Sequence, residues 1–223
     1  PYRWRPMTFE HNGKTYLNER AIATQQTGWW MMGQIRDFLP DQVGGILWFG
    51  VDDAATSCLT PIYVCTTEVP ESLLEGNGHM TQYSPTAAFW IFNRVAQFAY
   101  LRYNTIYPDI KEAFDTHENN AIEHIKAIDK TAVELLKTSE SSAIDYLTSY
   151  SVQTAQDMFN KWCNLDRYLM VKYIDGNVKQ EDENGFIDNG FGKNIPVSPN
   201  TPGYSDNWKK AVADETGKKL ISK

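Results

Sequence analysis

The sequence predicts an α+β fold, in which strands come first along the chain and long helices follow. Up to about residue 70, short apolar and aromatic runs alternate with turn residues, which is typical of antiparallel strands. From about residue 84 to 174, apolar residues recur at helical spacing. A length of 223 residues is enough to bury a sizeable core, and one domain is the default. We therefore expect an antiparallel sheet with long helices packed against it.

The predicted strands are short apolar runs bounded by Gly, Pro, Asn or Asp. They cover residues 7–9, 15–17, 20–24, 29–35, 44–51 and 59–66. His11-Asn12-Gly13-Lys14 predicts a hairpin turn between the first two. The run at 44–51 is almost continuously apolar, which favours a strand covered on both faces, and its glycines indicate close approach of another group. Together these runs predict a meander of four or five antiparallel strands.

Three long helices are predicted in the second part of the chain. The first begins with Ser84 as N-cap and Pro85 in the first turn, and ends near Tyr107-Pro108. The second covers about 119–138 and the third about 142–174, with Gly176 after its end. Beyond residue 175 the chain is polar and rich in Gly, Pro, Asn and Asp, with one short helix near 207–215. These helices can cover only one face of the sheet, so a structural layer is expected to be missing.

Composition excludes several classes of function. The net charge is −7 and the basic residues are scattered, which argues against a nucleic-acid partner. No apolar run is long enough to predict a membrane-spanning helix. The three cysteines form no C-x-x-C pair, and no motif for a metal or a cofactor is present, so we expect neither. Because the chain opens on Pro1 without an initiator methionine, we expect it to be a processed or cut piece.

A series of short segments carries a family resemblance. They are Asn18 to Gly28, Gln34 to Asp41, Gly44 to Asp53, Thr60 to Tyr63, Glu68 to Glu71, Ala88 to Asn93 and Tyr150 to Val152. Together they resemble the dipeptidase A family of cysteine peptidases, especially its Bacteroidetes-type members. The resemblance extends over most of the chain up to about Tyr173.

The resemblance implies the αββα sandwich of N-terminal-nucleophile hydrolases, a superfamily that includes penicillin V acylase and bile salt hydrolase. In such enzymes a cysteine exposed at the mature N-terminus attacks the peptide carbonyl, and its own α-amino group acts as the base. Residues 1–174 would then be the C-terminal half of the hydrolase domain, with strands in 1–70 and helices in 84–174. Residues 175–223 would be an irregular C-terminal arm. Members of this family suggest a periplasmic or secreted location.

The nucleophile is not expected in this chain. Pro1 has no thiol, and Cys58, Cys65 and Cys163 are internal. The resemblance therefore places the catalytic cysteine upstream, in the N-terminal half of the same enzyme, which becomes the expected partner. Short peptides are the expected substrates, and the chain alone is predicted to be inactive.

Six residues are candidates for substrate binding: Asn18, Arg20, Gln34, Arg36, Trp48 and Asp52. Arg20 opens a strand in a position like that of the arginine lining the nucleophile pocket of the related acylases, where it would hold a carboxylate. The alternative is a surface ion pair. Asn18 is a weaker companion, because asparagine before a strand is also common turn chemistry.

The other four candidates lie on the predicted central strands. Gln34 and Arg36 share one face of their strand, and line either the cleft or a solvated surface. Trp48, beside glycines, could form a wall for a dipeptide side chain, or simply pack in the core. Asp52 could pair with a substrate ammonium, or cap a turn together with Asp53.

Two functions of different classes follow from the sequence. The leading hypothesis is a C-terminal segment of a dipeptidase that acts when its N-terminal half is present. A chain produced by proteolysis and still held by that half is a variant of the same hypothesis. The alternative, suggested by an aromatic content of 13%, is a non-catalytic module for peptide or glycan binding or for assembly.

Overall fold

The computed structural model describes residues 7–19, 22–192, 194–201, 203–216 and 221, and confirms an α+β protein with antiparallel sheets and long helices. The chain forms two compact units, residues 1–169 and 170–223. The strands are β1 (Thr8–His11), β2 (Lys14–Leu17), β3 (Trp29–Ile35), β4 (Gly45–Val51), β5 (Thr60–Tyr63), β6 (Glu181–Asp182) and β7 (Gly185–Phe186). The helices are α1 (Asp41–Gly44), α2 (Ala88–Leu101), α3 (Tyr103–Leu136), α4 (Glu140–Tyr173) and α5 (Asp206–Thr216).

Strands β1 and β2 form the predicted hairpin. His11 pairs with Lys14, and Asn12 and Gly13 both have positive φ, 50° and 70°. This conformation favours Asn-Gly, because it matches the twist of the flanking strands. The hairpin is a two-stranded sheet of its own.

The main sheet contains three antiparallel strands in the order β3-β4-β5. Met32 pairs with Trp48, which in turn pairs with Pro61. The strands predicted at 29–35 and 44–51 are confirmed to within one residue. The strand predicted at 20–24 lies partly outside the described residues, and residues 22–24 form no strand.

One face of this sheet is covered by helices. Its buried side chains belong to a core that strands and helices share, made of Val43, Ile46, Trp48, Leu59, Tyr63, Ala121, Ile125, Ala132 and Leu147. The opposite face, which we call the open face, carries Trp29, Met31, Ile35, Leu47, Phe49 and Ile62. Every one of these six side chains is exposed or only half-buried. Val51 and Thr60 lie on the same face and are buried, so among the described residues the open face is covered only near this end of β4. The predicted lack of a covering layer stays a prediction.

A close approach explains one glycine of β4. A Cβ atom at Gly50 would lie 2.7 Å from Nε1 of Trp30 and 2.8 Å from the carbonyl oxygen of Cys58. The Trp30 indole lies across this position and donates to Oγ of Ser57 at 2.8 Å. The close approach predicted from the glycines of this strand is confirmed here.

The first two long helices have other boundaries than predicted. Helix α2 begins at Ala88, because Oγ of Ser84 bonds to Oδ1 of Asn77 instead of capping a helix. The helix ends at Leu101, where Arg102 leaves the helical conformation with φ −152° and ψ 70°. Helix α3 starts directly after this break, well before the predicted residue 119.

Helix α3 contains Pro108, the residue at which the sequence predicted a helix end. A proline in a helix interior removes one backbone hydrogen bond and costs about 3 kcal/mol or more. Ile106 and Ile110, on either side of it, are fully buried. The burial of these apolar side chains outweighs the local preference, so the helix continues. Helices α4 and α5 lie within two residues of their predicted bounds.

The second unit consists of the end of α4 and the segment that follows. Residues Glu181–Asp182 pair with Gly185–Phe186, and isolated bridges join Val178 to Asn200 and Asp188 to Pro196. A half-buried ion pair links Lys172 to Glu181 at 2.7 Å. No helix in the described part of the chain has the length and apolarity needed to cross a membrane.

Candidate functional site

Three of the predicted substrate residues lie together on the helix-covered side of the sheet. Nε1 of Trp48 donates to Oε1 of Gln34 at 2.9 Å. Both residues and Arg36 line a groove of about 620 Å³ between the main sheet and α3. The strand register brings Gln34 and Trp48 to the same face, because β3 and β4 pair with Met32 opposite Trp48.

Arg36 is held by partners inside the protein. It forms an ion pair with Asp129 of α3, and its guanidinium also donates to the carbonyl oxygens of Val43 and Gly44. Both members of the ion pair are largely buried. The Arg36 side chain thus connects the end of β3 to α1 and α3. The N–H groups of its guanidinium bond to carboxylate and carbonyl acceptors inside the protein.

Tyr63 completes this cluster. Its hydroxyl donates to Oδ1 of Asp129 at 2.6 Å, and the guanidinium carbon of Arg36 lies 5.9 Å from the centre of its ring. Burial, and then the hydrogen bond to Asp129, raise the pKa of Tyr63 well above its usual value. The hydroxyl therefore stays protonated and acts as a donor. Asp129 is not among the residues predicted from the sequence, although its position four residues after Ile125 on a buried helical stripe is a visible signal.

Asp52 lies at the end of β4 and is fully buried. Its Oδ1 accepts a hydrogen bond from Nδ2 of Asn93 at 2.8 Å, and its backbone N–H donates to Gly28 at 2.9 Å. Among the described residues nothing bonds to Oδ2. The backbone has φ of 65°, a conformation that Asp and Asn adopt more readily than most residues. Burial is the main cause that raises the pKa of Asp52 to about 6.

The neighbouring Asp53 is also fully buried and has partners for both oxygens. Oδ1 accepts from the backbone N–H of Ala55 at 3.0 Å, as in the predicted turn, and Oδ2 accepts from the hydroxyl of Tyr100 at 2.5 Å. Burial and this hydrogen bond raise the pKa of Tyr100, and burial raises the pKa of Tyr103 to about 12. The two aspartates thus join the end of β4 to α2.

The stability of the protein is expected to depend on pH through Asp52. Its pKa is about 6 in the folded protein and near 3.8 in the unfolded chain, so the folded state holds the proton between these values. The contribution of Asp52 to the free energy of unfolding is therefore largest below about pH 4. It falls by on the order of 3 kcal/mol as the pH rises to about 6. Asp52→Asn keeps the acceptor for Asn93 and should be more stable than the wild type at pH 7.

The measurement is urea unfolding of both proteins from pH 4 to pH 7, and the difference between them is the informative quantity. His117 opposes the trend, since burial lowers its pKa to about 4 and favours stability at higher pH. Asp166 adds to the trend, because burial raises its pKa. Both contributions cancel in the difference. Parallel curves for the two proteins would contradict the role assigned to Asp52.

The remaining two candidates lie elsewhere. Asn18 is exposed directly after β2, and its backbone N–H donates to Met7 at 2.7 Å within the hairpin. Arg20 lies outside the described residues. The structure therefore groups Gln34, Arg36 and Trp48, and places Asn18 and Asp52 on separate elements.

The cysteines of the chain are poorly suited to act as nucleophiles. Cys58 is fully buried, and burial raises its pKa well above the usual value. Burial also raises the pKa of Cys65 and of Cys163. A thiol attacks as the thiolate, so these groups are largely protonated and unreactive near neutral pH. In the described part of the chain, no three His, Cys, Asp or Glu side chains are grouped to hold a metal ion.

The sheet, its helices and these buried clusters belong to a peptidase-family protein. The chain matches Peptidase family C69 over residues 4–116, and we conclude that it belongs to this family. Among curated sequences it is similar to "Probable dipeptidase B" of Lactococcus lactis subsp. lactis (strain IL1403), with 24% identity over 138 residues. The aligned region is 62% of this chain and 27% of that protein, so the chain spans about a quarter of the length of this relative.

Proposed function

We propose that this chain is the C-terminal half of a dipeptidase that hydrolyses short peptides through a cysteine in its upstream half. The observation that carries the proposal is membership of Peptidase family C69 together with the similarity to a probable dipeptidase. The proposal includes a relationship to the Bacteroidetes-type members of the family, which the segments of the sequence resemble. In the described residues no cysteine combines exposure with a lowered pKa, which is consistent with a nucleophile located elsewhere.

The open face supports the same proposal. A contiguous apolar surface made of Trp29, Met31, Ile35, Leu47, Phe49 and Ile62 is unusual for a sheet that faces water. A second sheet packed on this face would bury these side chains and produce a sandwich with helices outside. The upstream half is the partner that we propose for this role, and the resulting architecture is the αββα sandwich.

Within this proposal the candidate residues have three different roles. Arg36 and Asp52 bond to α3 and α2 and position the main sheet against these helices, whereas Trp48 bonds to Gln34 within the sheet. Arg20 and Asn18 precede β3 in the sequence and remain the proposed contacts for a substrate carboxylate. Gln34, which accepts from Trp48, would act through the orientation of that indole.

The test compares the 223-residue chain with the gene product that includes the upstream half, using unblocked dipeptides and product detection by mass spectrometry. We expect turnover by the longer polypeptide alone, and its loss when the N-terminal cysteine exposed by processing is replaced with alanine. A matched control replaces Cys58, Cys65 and Cys163 with alanine and should retain activity. Turnover by the 223-residue chain that survives the loss of these three cysteines would contradict the proposal.

A further inference from the structure

The two edges of the main sheet differ in their ability to accept another strand. At the β5 edge, the outward backbone N–H of Tyr63 donates to Oγ of Ser151 on α4 at 3.0 Å. Pro61, the other residue of β5 on that edge, has no N–H to offer. Ser151 is itself buried and donates to the carbonyl oxygen of Leu147 at 2.8 Å. This edge is therefore closed by a proline and by a helix.

Within the part of the chain that the structure describes, the β3 edge is open along its whole length. Backbone bonds from Arg36 to Gly44 and from Asp52 to Gly28, both 2.9 Å, fix which residues of β3 face β4. Because bonding alternates along an antiparallel strand, Trp30, Met32 and Gln34 bond to β4. The outward N–H and C=O groups belong to Trp29, Met31, Gly33 and Ile35. No backbone group among the described residues bonds to them.

The side chains of the same residues are apolar and exposed. Relative exposure is 60% for Trp29, 57% for Met31 and 89% for Ile35, and all three point to the open face. Proteins normally protect an exposed edge with lysine, proline, a bulge or a covering segment. Strand β3 contains no charged residue and no proline. The contrast with β5, which has such protection, indicates an edge that is covered in the functional protein.

We propose that the outer edge of β3 pairs with an additional strand from the upstream half of the same polypeptide, so that the sheet continues across the junction of the two halves. This inference rests on the proposed function for the identity of the partner. The strand it requires is extended and neutral, with about seven residues and apolar side chains toward the open face. It would sit beside Trp29, Met31 and Ile35.

The dimensions distinguish such a strand from a substrate. Strand β3 has seven residues and is about 23 Å long at about 3.3 Å per residue. A dipeptide spans about 7 Å and would leave most of the edge unpaired. A covalently connected strand can satisfy all four outward N–H groups, which explains why no local device protects them.

The test is amide hydrogen exchange resolved for single residues of β3, in the 223-residue chain and in the longer gene product. In the 223-residue chain, the inward amides of Trp30, Met32 and Gln34 should be protected, and the outward amides should exchange within about tenfold of unstructured rates. In the longer polypeptide we expect the outward amides to slow by about a hundredfold or more. Rapid exchange of the outward amides in the longer polypeptide would overturn the proposal.

A pair of variants tests the hydrogen bonds themselves. Met31→Pro removes an outward N–H and leaves the ladder to β4 in place, whereas Met31→Ala shortens the side chain and keeps the N–H. In the longer polypeptide, Met31→Pro should abolish the added protection at Trp29, Gly33 and Ile35, and Met31→Ala should retain it. Equal protection in both variants would count against strand pairing. If Met31→Pro does not fold, hydrogen exchange of the unmodified protein still tests whether the outer edge of β3 pairs with an added strand.

Other occupants give different results. Outward amides that are already protected in the 223-residue chain would overturn the proposal, and protection that rises with concentration would identify a second copy as the occupant. The outcome is also separable from the proposed function. An active longer polypeptide with unprotected outward amides excludes only the added strand. Protected amides without peptidase activity exclude only the dipeptidase function.

Discussion

Replacement of Asp129 with alanine is expected to lower the free energy of unfolding by about 3–5 kcal/mol, because it leaves Arg36 buried without its counter-ion. The guanidinium is held within the fold by the carbonyl oxygens of Val43 and Gly44, so it cannot easily turn to solvent. The hydroxyl of Tyr63 loses its acceptor in the same variant. Urea unfolding monitored by tryptophan fluorescence measures the loss.

Two control variants separate the charge effect from general truncation. Tyr63→Phe removes one hydrogen bond to Asp129 and should cost about 1 kcal/mol. Glu134→Ala removes an exposed ion pair with Lys137 from the same helix and should change stability by less than about 0.5 kcal/mol. If Asp129→Ala costs no more than Glu134→Ala, the cluster around Arg36 does not hold the sheet to α3.

Replacement of Trp162 with alanine should cost a similar amount, about 3–5 kcal/mol, through a cavity in the core. Trp162 of α4 is fully buried and stacks on Phe92 of α2, with ring centres 4.6 Å apart and an angle of 6° between the planes. The stack connects the two helices directly. Thermal or urea unfolding of the purified variant gives the magnitude.

Trp162→Phe is the matched variant. Nε1 of Trp162 has no hydrogen-bond partner among the described residues, so the indole carries a buried donor without a bond. Phenylalanine keeps an aromatic ring against Phe92 and removes this donor, and we expect a loss below about 1.5 kcal/mol. A loss as large as that of the alanine variant would show that the indole makes a contact which phenylalanine cannot replace.

The parts of the fold that the sequence predicted well have local causes. The hairpin turn depends on Asn12-Gly13, and β3 and β4 depend on long apolar runs that end at turn residues. The predicted helix start at Ser84 and end at Pro108 failed for a nonlocal reason. Ser84 finds Asn77 as a partner, and the neighbours of Pro108 are buried against the rest of the core. A single sequence contains neither of these tertiary contacts explicitly.

The candidate site shows the same limit. The alternation of β3 correctly placed Gln34 and Arg36 on one face, since a period of two follows from strand geometry alone. It could not show that Asp129, 93 positions later, neutralises Arg36, or that Asn93 bonds to Asp52. Whether a polar side chain binds a substrate or a neighbouring element depends on such partners. This information becomes available only when helices and strands are brought together.

The closed β5 edge also limits how copies of this chain could associate. Fibre growth through strand pairing requires two free edges on each molecule, one for each neighbour. Because Pro61 and Ser151 block β5, the main sheet can pair with another strand at one edge, that of β3. Two copies that paired through β3 would have no free edge left on the main sheet. Self-association by this route is therefore self-limiting at the dimer, and a chain with such an exposed apolar strand need not form a fibre through it.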